Sequence, residues 1–211
     1  MEQLHQNCTD TLNKLPKHVR LIAASKTRTI AEIQAVYQAG VHNFGENYVQ
    51  EGVEKAQQLP EATWHFIGKL QRNKVNMALK GFTVFHTVDS LKLLDKINTS
   101  AARENLRPHI YIQVNVAGED QKAGCSVADL PSLIEAAQHM THIELVGLMT
   151  LPPADEDPTP YFQKLKALAT AHNLPRLSMG MSGDWEKAID CGATDIRLGT
   201  TLFGPRLTKS K

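Results

Sequence analysis

VRLIAASKTRTIAEIQAVYQAG, residues 19–40, contains one complete β/α unit. Residues 19–25 form a short apolar run, the polar stretch around Lys26 makes a turn, and Ile30, Ile33, Val36 and Tyr37 then recur on one helical face until Gly40 stops the helix. In the strand, Ile22, Ala24 and Lys26 share one face, and Leu21, Ala23 and Ser25 share the other. A lysine therefore stands where the strand ends and the chain turns.

The unit recurs along the chain. Strand-like runs at 41–47, 62–68, 82–88, 109–116, 143–150, 176–182 and 194–199 are each followed by a helix-like stretch, at 48–59, 69–81, 90–106, 127–140, 161–173, 184–192 and 200–204. Asp89 or Ser90 is positioned to cap the fourth of the eight helices. Such alternation specifies a parallel sheet with right-handed crossovers. An open doubly wound sheet and a closed barrel both satisfy it, and eight units favour closure. The predicted fold is α/β, a (β/α)8 TIM barrel forming a single domain over residues 1–211, at the small end of the range for that architecture. Its functional groups then lie at the C-terminal ends of the strands, in a polar rim above strand bodies that read as apolar.

Composition narrows the function classes. With 23 basic against 22 acidic residues the net charge is +1, which gives no overall attraction to nucleic acid or an anionic membrane surface. Any anion must be met locally. Cys8, Cys125 and Cys191 are odd in number and far apart, as in a reduced cytoplasmic chain. The first 20 residues have no apolar signal core, and no segment approaches the roughly 20 apolar residues of a membrane span.

The rim residues suggest a chemistry. By itself Lys26 is either a strand-end lysine whose stem snorkels to water or an amine able to attack a carbonyl. SMGMSGD (178–184) and IRLGTT (196–201) put Ser182, Gly183, Gly199 and Thr200 in the loops after the seventh and eighth strands. Those loops are the usual phosphate site of a barrel, where glycine lets backbone N–H groups approach an anion and hydroxyls add donors. Arg197, two residues before Gly199, enters the same mouth. A guanidinium there needs a partner, either Asp195 on the same strand face or a ring nitrogen of a ligand. Lysine, phosphate cup and arginine together describe a pyridoxal 5′-phosphate site.

These segments carry a family resemblance. AASKT (23–27), HNFGENYVQE (42–51), WHFIGKLQRNK (64–74), HTVDS (86–90), QVNVAGEDQKAG (113–124), VGLMTLPP (146–153), LSMGMSGDWEKAI (177–189) and IRLGTTLFG (196–204) occur in order over nearly the whole chain. The sequence resembles the YggS/PROSC-type pyridoxal phosphate homeostasis proteins, which share a fold-type III barrel with the N-terminal domain of alanine racemase. The resemblance implies that Lys26 forms an aldimine with the cofactor, that Arg197 faces the pyridine nitrogen, that Ser182, Gly199 and Thr200 contact the phosphate, and that Asn47 lies beside the cofactor. Thr29 stands where the family often has proline, and Gly183 where it often has a polar residue. The resemblance also implies a carrier or regulator of pyridoxal phosphate without established catalysis, serving apo-enzymes that depend on the cofactor, as a monomer or weak dimer. Racemase-like chemistry on amino acids is the alternative, but it needs a second acid/base group, and the C-terminal FGPRLTKSK leaves no residues for a further domain to supply one. A barrel enzyme acting on a phosphorylated sugar would use the same phosphate loops without the aldehyde.

Other motifs carry less. GKLQRNK (68–74) lacks the first glycine and the final Ser/Thr of a nucleotide loop, and Lys69, Arg72 and Lys74 read as a solvated helix face. His139 and His142 lack companions for a metal site, Cys125 has no visible activating group, and PPADEDPTP (152–160) reads as a rim loop or a plain connector.

Overall fold

The computed structural model describes residues 1–119 and 122–205. Part of QVNVAGEDQKAG and most of FGPRLTKSK, on which the expectation about a further domain rests, lie outside the described residues. The chain begins with α1 (Glu2–Lys14) and continues through β1 (Arg20–Ala24), α2 (Ile30–Gln38), β2 (Asn43–Glu46), α3 (Val49–Gln58) and β3 (Thr63–Phe66). After a 3₁₀ turn at Arg72–Lys74 come α4 (Val75–Ala78), β4 (Val84–Val88), α5 (Leu91–Arg103), β5 (His109–Gln113), α6 (Leu130–Gln138) and β6 (Glu144–Met149). The series ends with α7 (Thr159–Ala171), β7 (Arg176–Met181), α8 (Trp185–Asp190), β8 (Asp195–Leu198) and α9 (Thr200–Phe203).

All neighbouring strands pair in parallel, and β8 pairs back onto β1, with Ile22 opposite Arg197 and Ala23 opposite Leu198, so the sheet closes into an eight-stranded barrel. No helix among the described residues is long and apolar enough to cross a membrane. Thr29, the residue that departs from the family's proline, caps α2: its hydroxyl accepts the Glu32 N–H while the Glu32 carboxylate accepts the Thr29 N–H. Ser90 is the cap residue of α5, without a side-chain cap bond.

Two sequence expectations need correction. The stretch 69–81 is not one helix: Gln71 is extended (ψ 139°), and only the 3₁₀ turn and four-residue α4 follow. The N-terminal segment, for which no element is predicted from the sequence, is the 13-residue α1, which buries Cys8 and Thr11 and packs on α2 and α9. Its apolar stripe of Leu4, Cys8, Leu12 and Leu15 is one residue wide, so the surface that makes it a helix is supplied by the barrel's closing seam.

The strand bodies also differ from the expectation of an apolar core beneath the rim. Outward-facing residues such as Phe44, Phe66, Phe85, Ile110, Ile196 and Leu198 join the apolar layer between sheet and helices. The lumen is polar. A small apolar group, Val84, Tyr111, Val146 and Met149, lies inside together with Ile22, and buried His65, His86, Ser178, Asp195 and Arg197 share that interior.

Candidate functional site

Lys26 is half-buried in the turn directly after β1, and its side chain makes no hydrogen bond or ion pair with the described residues. The Ser25 N–H still bonds the Gly45 carbonyl at 3.0 Å, so the β1–β2 ladder runs to the base of that turn and brings Asn47, two residues beyond Gly45, alongside Lys26. Asn47 is seated by Gly68: a Cβ there would lie 2.1 Å from the Asn47 carbonyl oxygen, so only glycine lets the end of β3 approach so closely.

On the other side of Lys26 stands the β7–β8 edge. Gly180, with φ of 95°, turns the end of β7 so that the Ser182 hydroxyl comes within 3.4 Å of the Gly199 N–H. Gly199 in turn stands against β1, where a Cβ would meet the Ala24 carbonyl at 3.5 Å. Thr200 heads α9 and is exposed. Ser182, Gly199 and Thr200 are thus brought together beside the strand that carries Lys26, although more than 150 residues separate them in sequence.

Arg197 lies below this cup, 4% exposed. Its partner is not Asp195, the alternative open from the sequence. Nη1 donates to the Ser178 carbonyl at 2.9 Å and the Ser178 hydroxyl at 2.5 Å, and Nη2 donates to the Thr150 carbonyl at 3.1 Å. Asp195 is occupied elsewhere. It accepts the Tyr111 hydroxyl at 2.9 Å and the Thr194 hydroxyl at 2.6 Å and is flanked by Arg20 and Arg176, each at 3.5 Å. Burial lowers the Arg197 pKa to about 10, so the group is still a cation at neutral pH. Three of its five N–H protons are spent, which leaves donors for a ligand acceptor.

A hydrogen-bond chain continues beneath the arginine. Ser178 Oγ receives Nη1, and its own proton can point to His86 Nδ1, 2.8 Å away, the arrangement that suits a neutral imidazole. His86 then carries its proton on Nε2 and donates to His65 Nδ1 at 2.9 Å, and His65 donates from Nε2 to Asn43 Oδ1 at 3.1 Å. In that arrangement each imidazole carries one proton and is neutral. Burial first, then the surrounding positive charges, holds them well below the ordinary imidazole range. Tyr111 stacks on His86 with centroids 4.3 Å apart, and burial followed by the Asp195 charge raises its phenol well above the usual range.

Sequence reasoning missed His65, His86, Ser178 and Thr150. The signal for the first three was present: each falls on the inward phase of its strand, as Arg197 does. Thr150 acts through its carbonyl, which no side-chain pattern reveals. Cys125 is buried, and desolvation pushes its thiol up to about 12, which removes it as a nucleophile at neutral pH.

Comparisons with known proteins show the family and the fold. A family model described as "Alanine racemase, N-terminal domain" matches residues 1–206. The pyridoxal phosphate homeostasis protein of Synechocystis is 39% identical over 213 residues, covering 94% of this chain and 97% of the relative; that of Aquifex aeolicus is 41% identical over 198 residues, covering 89% and 87%. PipY of Synechococcus elongatus with pyridoxal phosphate bound superposes with a TM-score of 0.89 at 34% identity, over 95% of this chain and all of PipY. An alanine racemase of Clostridium difficile, at 17% identity and a TM-score of 0.80, covers 99% of this chain and 61% of its own, and shares the fold.

Proposed function

From the premise that this chain belongs to the pyridoxal phosphate homeostasis family, built on the alanine racemase N-terminal barrel, we propose that it binds pyridoxal 5′-phosphate at the barrel mouth and serves cofactor homeostasis. When bound, the cofactor supplies an aldehyde carbon and an aromatic ring that draws electrons from it. Lys26 is the amine that would hold the cofactor at that carbon. Arg197, held by Ser178 and Thr150, would face the ring nitrogen, and a guanidinium that keeps its proton would leave that nitrogen unprotonated and the ring a weak electron sink. Ser182, Gly199 and Thr200 offer the phosphate two hydroxyls and backbone N–H groups, and Asn47 lies beside the ring. The weak sink favours a carrier over a racemase. In this reading the chain works as one barrel, monomeric or weakly dimeric, in the cytoplasm, and passes cofactor to apo-enzymes.

The observation that supports this reading most is the β1–β8 pairing, which brings the end of β1, two residues before Lys26, against Gly199 and, through it, the Ser182 hydroxyl. Protein mixed with pyridoxal phosphate should turn yellow, and borohydride should fix the cofactor onto one peptide containing Lys26. Protein that stays colourless and gains no visible band refutes the proposal.

A further inference from the structure

The residues on either side of Lys26 are tied to one ammonium and two carboxylates, while Lys26 itself is left uncommitted. Ser25 to Arg28 form a four-residue turn closed by the Arg28 N–H donating to the Ser25 carbonyl at 3.0 Å. Thr27, its third residue, has φ of 67°, and Lys26 does not share the positive φ. That is the pattern of a type II turn, which normally places glycine or asparagine third. A β-branched residue in this region is strained, and the strain persists only if the surroundings hold it.

Glu51 does the holding. Its Oε1 accepts the Thr27 N–H at 2.7 Å, and Lys55 Nζ, one helical turn further along α3, fixes the same oxygen at 2.7 Å. Lys55 Nζ also donates to Glu46 Oε1 at 2.7 Å and to the Ser25 carbonyl at 2.8 Å, so its three protons have three acceptors. The Ser25 hydroxyl donates to Glu46 Oε1 at 2.8 Å, which ties the end of β1 to the residue before Asn47. The cluster is costly as packing. Glu46 is fully buried, its Oε2 has no partner, and burial pulls its carboxyl above the usual range against the pull of Lys55. Apolar side chains would hold α3 against the sheet at lower cost. They could not accept the Thr27 N–H or donate to the Ser25 carbonyl.

We propose that Glu51, itself held by Lys55 and Glu46, is the positioning residue for Lys26: it keeps the strained turn in the conformation that presents the lysine amine at the mouth. The inference rests on the reading of Lys26 as the amine that takes up the cofactor. Because the device works on backbone strain, it makes a specific claim: glycine at position 27, which enters the left-handed region freely, should make Glu51 dispensable.

The test compares the full-length wild type, Glu51→Ala and the double variant Glu51→Ala/Thr27→Gly, each shown folded by circular dichroism without cofactor. Each is titrated with pyridoxal phosphate while the rate and extent of the visible band are followed and the borohydride-fixed peptide is mapped. Glu51→Ala should bind about tenfold more weakly, equivalent to about 1.4 kcal/mol, and form the band more slowly. The double variant should return to within about twofold of wild type. Wild-type affinity and rate in Glu51→Ala, or a double variant as weak as the single, would overturn the proposal. If Glu51→Ala does not fold, Glu51→Met, of similar length but with no oxygen to accept the Thr27 N–H, with and without Thr27→Gly carries the same two expectations. A wild type whose cofactor is fixed on a peptide other than that of Lys26 overturns the underlying reading, and this result is seen before any Glu51 variant is compared.

Discussion

The floor and the mouth of the barrel are made by the same eight strands, yet they treat their polar groups in opposite ways. At the floor, Arg20 and Arg176 flank Asp195, and Arg107 lies against Glu144 at 3.5 Å, so charge meets charge. At the mouth, among the described residues, the Lys26 side chain makes no hydrogen bond or ion pair, the Ser182 hydroxyl receives a single long hydrogen bond, and Thr200 is exposed. A folded chain leaves polar groups of this kind underused where a ligand is to meet them, and pairs them where the task is stability. Between the two ends runs the chain Asn43, His65, His86, Ser178, Arg197, which anchors the mouth's arginine in the body of the barrel.

The contrast can be broken in four ways, from the largest expected effect to the smallest. Lys26→Ala should remove the borohydride-fixed peptide altogether while leaving the denaturation midpoint within error of wild type; a lost fold would mean that the mouth is structural after all. Asp195→Ala should do the reverse. Removing one partner of a buried charge cluster costs about 3–5 kcal/mol, measurable by urea unfolding at neutral pH, and the folded fraction should still turn yellow with cofactor. The lumen histidines predict a pH dependence. Their folded pKa values lie below the unfolded value near 6.5, so the unfolded chain binds more protons in acid and stability is lost as pH falls through 6.5. For the pair this is about 2–3 kcal/mol between pH 7.5 and 5.5, and a flat stability profile over that range would show that they are not neutral in the fold. Glu46 has the opposite sign, since its raised carboxyl loses stability as pH climbs above its ordinary value near 4.5. Last, Arg107→Ala at the exposed rim of the floor should cost less than about 1 kcal/mol.

The uneven legibility of the chain has physical causes. Strand and helix periods, with glycine stops such as Gly40, reflect burial of one face and repeat regardless of context, so all eight strands could be read from the sequence. The positions of Lys26, Ser182, Arg197, Gly199 and Thr200 at or just after strand ends were legible because strand ends and glycine-rich loops are local features. The partner of Arg197 was not. Asp195 was the nearest candidate by alternation, but barrel curvature and the irregular register between β7 and β8 bring Ser178 to the guanidinium. The role of α1 was hidden for the same kind of reason, since its narrow apolar stripe has meaning only against α2 and α9.

By itself, then, the sequence determined the eight β/α units and the residue types at their ends, and favoured closure without fixing it, because periodicity, turn chemistry and chain order are written locally, whereas closure needs the β8–β1 pairing. Only the tertiary structure decided that the lumen is a directed polar chain, that Arg197 is held by Ser178 and Thr150, and that Glu46, Glu51 and Lys55 brace the turn at Lys26. Those facts depend on which side chains the closed sheet brings within hydrogen-bond distance, and a proton on a buried histidine is placed by its partners across the barrel and not by its neighbours in the chain.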